Sequence, residues 1–187
     1  MKKLILLLLL ASLCGIAFAQ QQKITNHGYT SYWNPKTLIP DSVIWIAKPH
    51  KKVADRETGF HATSGRPNLT KDYAGSGYDI GHNCNAGDEN GNATDEYNSF
   101  DYVNTFPQRP NNNRLTWLAL ENYTRLLNCP VMVKVYWQGI DGYIGLDKVT
   151  VPLYVIKELR YSGHYEKYVM PNKDTVNKHP FTFYKVN

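Results

Sequence analysis

Cysteine is scarce in this chain, with only Cys14, Cys84 and Cys129 present. A zinc site at His82 and Cys84 would need further soft ligands at fitting spacing, and the sequence has none. No internal repeat, low-complexity tract or Pro/Ser-rich linker divides it, which excludes solenoid arrays and leaves no boundary between modules. Long apolar runs are also missing. The single candidate, residues 4–18, is interrupted by Ser12 and Gly15 and falls short of the ~20 residues that span a bilayer, so no stable membrane association is expected.

That short run has another use. Lys2 and Lys3 precede the apolar residues 4–10, and Ala17, Phe18 and Ala19 follow with small residues for cleavage, which together form a bacterial-type export signal. Leu13 stands before Cys14 where lipid attachment requires a small residue, whereas the Ala-Phe-Ala site suits ordinary signal peptidase. The expectation is a signal peptide over 1–19 and a secreted or periplasmic product, one domain over 20–187. Loss of Lys2 and Lys3 lowers the formal net charge from +5 to +3, 19 basic against 16 acidic residues, which favours polyanions without naming one. An oxidising destination makes a Cys84–Cys129 disulfide an expectation, closing a loop of about 46 residues and contributing about 4 kcal/mol if it forms. Two buried free thiols are the alternative.

Along the chain, residues 20–30 read as a loose lead-in and 42–47 as a buried strand of β-branched and aromatic residues ended by Pro49. Residues 51–77 are polar and punctuated by glycine and proline, a long surface loop of the kind that carries function. From Asn113 the spacing of Leu115, Leu118, Leu126 and Leu127 predicts an amphipathic helix that stops at Asn128 and Pro130. Residues 131–137 and 148–156 read as strands with Asp141-Gly142 as the turn between them, and 181–184 as a last short strand. The predicted fold class is α+β, a mainly antiparallel β-sheet with one long helix.

Chemistry concentrates in three consecutive elements: a segment with Asp79 and His82, an asparagine-rich connector from Asn104 to Asn113, and a helix with Asn113, Trp117, Glu121 and Arg125. His82 has the titration range of a general base, and Gly81 beside it would let the backbone approach a substrate. Magnesium keeps several waters and needs only one or two protein oxygens, so the Asn113 amide can suffice. Glu121 lies eight residues on, about 12 Å of helix rise, too far to ligate the same ion. Arg125 can offer a planar fork to phosphate. Each has a plainer reading too. His82 can be a surface or packed histidine, Asn113 a helix cap, Asp79 a turn former, and Asn104 a loop residue bonding its own backbone. Glu121 and Arg125 can be an i,i+4 surface pair, and Trp117 is core packing on either reading.

Order and spacing together decide between them. Asp72-Tyr-Ala-Gly-Ser-Gly-Tyr-Asp-Ile-Gly-His82, then Asn104-Thr-Phe-Pro-Gln108, then Asn113-x3-Trp117-x3-Glu121 resembles the DNA/RNA non-specific endonucleases of the ββα-metal group. The likeness runs from about Trp45 through Asn172, taking in Gly145-x-Asp147-Lys148-Val149-Thr150-Val151-Pro152 and Val169-Met170-Pro171-Asn172. It implies a ββα-metal motif with His82 as general base and Asn113 as the sole direct protein ligand of Mg2+, or of Mn2+ or another divalent ion. It further implies that Glu121 supports water on that ion, Arg125 contacts the scissile phosphate, and Asp79 and Asn104 shape the site. The implied partners are DNA and RNA, cut endonucleolytically to 5′-phosphate ends. No sequence signal specifies an inhibitor protein or an oligomeric state. One departure stands inside the motif, where Ile80 replaces the usual arginine and so weakens the expected phosphate affinity. Longer members also continue into a helical tail beyond the position of Asn187, leaving a less covered C-terminal edge as an expectation. A catalytically weak polyanion binder on the same fold is the rival reading.

Overall fold

A computed structural model describes residues 20–186 except 54, 56–58 and 64, so the export signal expected over 1–19 lies outside the described residues. The chain runs β1 (Gln22–Thr25), β2 (Tyr29–Asn34), β3 (Ile39–Ala47), α1 (Thr70–Tyr73), β4 (Asp79–His82), α2 (Ala86–Glu89), α3 (Ala93–Ser99) and β5 (Thr105–Gln108). It continues through α4 (Leu118–Leu126), β6 (Val131–Ile144), β7 (Val149–Tyr161), β8 (His164–Pro171) and β9 (Lys185–Val186). The architecture is α+β: an antiparallel sheet in the order β1-β2-β3-β6-β7-β8-β9, and a separate antiparallel pair, β4-β5.

Register explains the core. Val43 lies opposite Val135, Trp45 opposite Val133, and Val133 opposite Leu159. Side chains two apart share a face, so these residues form one buried layer, each apolar side chain contributing about 1.5–3 kcal/mol. Their neighbours in the same strands, Ile46, Met132 and Arg160, lie on the opposite, exposed face. The covered face is closed by Phe106 of β5 and by Trp117, whose rings meet edge to face with centroids 6.3 Å apart.

The helical run ahead of α4 contains a π-helical turn over Asn112–Trp117, a feature that recurs at functional sites. Its inward residues are Asn112, Thr116, Trp117, Leu120, Glu121 and Thr124, whereas Leu115, Leu118 and Leu126 are 51%, 43% and 81% exposed. Of the predicted leucine stripe, Leu115, Leu118 and Leu126 therefore face outward, and only Leu127 packs against the core. The inward positions carry one amide, two hydroxyls and a carboxylate beside Trp117 and Leu120, with Tyr123 and Leu127 half-buried against the same core.

Other expectations change as well. The lead-in over 20–30 contains β1 and the start of β2: an edge strand with exposed side chains has no apolar alternation, and its backbone bonding to β2 decides it. Asp141 and Gly142 lie within β6 beside a register shift, and the chain turns at 145–148, where Gly145 and Lys148 take positive φ. Residues 181–184 form a 3-10 turn rather than a strand; Phe181 packs beside Tyr168, and β9 then covers the edge of β8. Cys84 and Cys129 are both free. Cys84 is buried with its thiol donating to Glu89 Oε1 at 3.2 Å, while Cys129 is half-buried near Ser162, so their sulfurs address different surroundings. Burial first, then the Glu89 and Asp88 carboxylates, push the Cys84 pKa well up and keep it the protonated donor. Among the described residues, no helix is long and apolar enough to cross a membrane.

Candidate active site

β4 presents Asp79 and His82 at its two ends, and β5 holds it in place through the pairs Asp79 with Gln108 and His82 with Thr105. Gly81 faces the Gln108 side chain, and a Cβ there would fall 2.4 Å from Gln108 Oε1. This packing by itself leaves no room for a side chain at position 81. Beyond His82 the chain is fastened by Asn104, which is fully buried. Its Oδ1 accepts from the Cys84 N–H at 2.9 Å, and its Nδ2 donates to the carbonyls of Cys84 and Ser99, both at 2.7 Å. Asn104 thus satisfies three backbone groups that burial would otherwise leave unpaired at about 1–3 kcal/mol each. It shapes the loop after His82 and takes no place in the cleft lining.

Across the cleft stands the helix. Asn113 donates from Nδ2 to Asp79 Oδ2 at 3.0 Å, and Arg114 grips the same carboxylate with Nε at 2.8 Å and Nη2 at 2.6 Å. The cap reading of Asn113 fails, because its side chain bonds strand β4 and its own N–H goes to the Arg109 carbonyl. Asp79 is likewise more than a turn former: it ties β4 to the helix and orients the carboxamide. Its hydrogen bonds, and then its charge, raise the Arg114 pKa above the guanidinium's ordinary value.

The two walls enclose a cleft of about 490 Å³ lined by His82, Asn113, Glu121, Arg125, Asp79 and Arg114, with Ile80 and Phe60 alongside. The His82 ring is held between Phe60, centroids 5.0 Å apart, and Phe100, 4.8 Å and nearly perpendicular. Glu121 is buried on the helix's inner face. Arg125 forms its ion pair with Asp88 at 3.1 Å; Nη1 also donates to Asn85 Oδ1 at 2.8 Å and Nη2 to Asn122 Oδ1 at 2.6 Å. Its fork is therefore fixed by protein before any phosphate arrives.

A cation cage built wholly of protein is not present among the described residues, since no cluster of three or more His, Cys, Asp or Glu side chains is placed to hold a metal. The donor set instead suits a hydrated hard cation. One amide oxygen is available from Asn113, whose nitrogen Asp79 already engages, and the Glu121 carboxylate lines the same cleft.

Sequence reading missed Arg114, Asn85, Asp88, Phe60 and Lys157. Asn85 carries a signal in hindsight, since it caps α2 by accepting from the Asp88 N–H. Lys157 carries none. It sits on the core face of β7 opposite Val135, fully buried, with its ammonium 4.6 Å from the Trp117 ring centroid and 5.6 Å from that of Trp45. Burial lowers its pKa, against the pull of the Glu121 and Asp88 carboxylates.

A protein named Nuclease from Nostoc sp. (strain PCC 7120 / SAG 25.82 / UTEX 2576) is 40% identical over 83 residues, 43% of this chain and 30% of that protein, so the chain spans under a third of that relative's length. A chain in the crystal structure of the EndoG/EndoGI complex, concerned with the mechanism of EndoG inhibition, superposes with a TM-score of 0.76 at 23% identity. That match covers 91% of this chain and 82% of the other and shows a common fold. A family model described as DNA/RNA non-specific endonuclease matches residues 15–187, and the chain belongs to that family.

Proposed function

We propose that this chain is an exported endonuclease that hydrolyses DNA and RNA phosphodiester bonds, with His82 as general base and a single Mg2+ held by Asn113, leaving 5′-phosphate ends. Residues 20–187 make up its nuclease domain, and the signal over 1–19 directs it to the periplasm or the exterior. The observation that carries the reading is the Asp79–Asn113 hydrogen bond, which commits the amide nitrogen in a cleft that His82, Glu121 and Arg125 also line. Mn2+ or another divalent ion fits the same oxygen donors.

The residues act in sequence. Phe60 and Phe100 set the plane of the His82 ring, which accepts a proton from a water in the cleft as that water attacks phosphorus in line. Glu121 accepts hydrogen bonds from water at the helix side and holds it there. Arg125, fixed by Asn85, Asp88 and Asn122, presents positive charge to a phosphate oxygen, and Arg114 does the same beside Ile80, where family members usually carry an arginine. The ion, when bound, supplies charge stabilisation for the phosphate and for the leaving 3′ oxygen. These groups address phosphate and water rather than base edges, so cleavage is without sequence preference.

Plasmid DNA and RNA incubated with the purified protein and magnesium test the reading. Both should be degraded, chelator should stop degradation, and His82→Ala and Asn113→Ala should each remove it. A chain that binds both polymers and cuts neither would leave the rival binding function standing. N-terminal sequencing of the exported product should give a start near Gln20.

A further inference from the structure

Beyond Arg125 the cleft does not end. A second groove of about 450 Å³ begins there and shares Arg125 and Gly87 with the first. Its floor is α2 and the residue that follows it, Asn90; one wall is the end of α4 with Thr124 and Asn128, and the other is the loop that leaves β3 with Lys48, His50 and Lys52. The junction is low because position 87 has no side chain. A Cβ on Gly87 would fall 2.8 Å from Arg125 Nη1 and 3.2 Å from Asn85 Oδ1, so a larger residue there would force the arginine to shift.

The basic wall is also anchored. His50 Nε2 meets Asn90 Oδ1 and its Nδ1 meets the Lys48 carbonyl, both at 2.8 Å, while the Val53 N–H donates to the Asn90 carbonyl at 2.9 Å. Lys48 and Lys52 therefore stand on backbone fixed to the groove floor, with their exposed stems free to follow a ligand. The one carboxylate in the lining, Asp88, is already engaged by Arg125 and by Trp45 Nε1 at 2.9 Å. The Lys52 pair with Asp55 at 3.7 Å joins two strongly exposed groups and holds little. The groove's uncompensated charge is positive, which offsets the partial negative charge of the α4 C-terminus at its far wall.

We propose that this groove is a phosphate-backbone subsite: a nucleic-acid strand cut in the cleft continues past Arg125, and Lys48 and Lys52 hold the phosphates next along it. The proposal rests on the nuclease reading for the direction of the strand. It explains why cationic residues outside the reaction centre cluster on one anchored loop beside it.

The test is the Lys48→Ala/Lys52→Ala variant of the full chain, against a fluorescent twelve-nucleotide single strand bound in chelator, where no cleavage occurs. Loss of two phosphate contacts should flatten the dependence of log affinity on log salt by about 1.4, at ~0.7 per contact for single strands. With magnesium, kcat/KM for the twelve-nucleotide strand relative to a dinucleotide, which has one phosphodiester and cannot reach the groove, should fall about tenfold, on the order of one good charged contact. An unchanged salt slope, or equal loss on both substrates, would overturn the subsite. Failure of the parent chain to cut either substrate would bring down the nuclease reading instead, since the slope is measured without cleavage.

Discussion

On the core face of β3, β6 and β7 the side chains are Val43, Trp45, Val133, Val135 and Leu159, and on the helix face across from them are Asn112, Thr116, Glu121 and Thr124 beside Trp117 and Leu120. Both sets are buried. The first is held by removal of apolar surface from water, which is non-directional and tolerates small shifts. The second mixes apolar contact from Trp117 and Leu120 with polar groups that need directed partners, and it costs stability wherever a partner is lost. Thr124 finds its partner in the Leu120 carbonyl at 2.9 Å and Asn112 in the Pro171 carbonyl at 3.4 Å. A nuclease site needs the second kind of wall, and the sheet supplies the stability that lets the chain carry it.

Substitutions should separate these two walls by what they damage. His82→Ala should lower plasmid cleavage by ~10²–10⁴-fold, the range of a lost general base, with the thermal midpoint nearly unchanged. Leu159→Ala, fully buried in the sheet, should do the reverse: a loss of about 2–5 kcal/mol in denaturant unfolding, with cleavage per folded molecule preserved. If Leu159→Ala lowers cleavage as much as stability, the division between scaffold and site is wrong.

Asp79→Ala is a finer probe, because it removes the partner of Asn113 and Arg114 without touching the sheet core. It should weaken magnesium activation about 10–100-fold, as removal of a partner behind a metal ligand does, and leave stability within about 1 kcal/mol. Saturating magnesium should recover most of the rate.

Lys157→Met gives the smallest effect and reads the buried charge directly. A lysine whose pKa is lowered by folding gives up its proton in the native state first, so the native protein gains stability as pH rises from that lowered pKa toward ~10.4. Denaturant unfolding should show this alkaline gain in the wild type relative to the methionine variant. Parallel curves for the two proteins would mean that folding does not lower the Lys157 pKa.

How far the sequence revealed each wall follows from the same contrast. β3, β6 and β7 were legible because β-branched and aromatic residues at period two have one physical meaning. The helix was legible as a helix, but its leucines misled: Leu115, Leu118 and Leu126 are exposed, and the buried face carries Asn112, Thr116, Glu121 and Thr124, which periodicity assigns to solvent. His82, Asn113, Glu121 and Arg125 emerged from motif order and do share one cleft, whereas Asn104 acts behind it through backbone bonds. Lys157 and Arg114 left no mark, since a buried lysine between two tryptophans and a fork across to Asp79 arise from contacts distant in sequence.

The central claim is that His82 and Asn113 address one cation. Mn2+ titrated into the full chain, followed by the NMR signals of the His82 ring, tests it most directly. The account predicts that one equivalent broadens the His82 ring signals and that Asn113→Ala abolishes this at the same concentration. Mn2+ binding that leaves the His82 signals sharp, or broadening that survives Asn113→Ala, would contradict it.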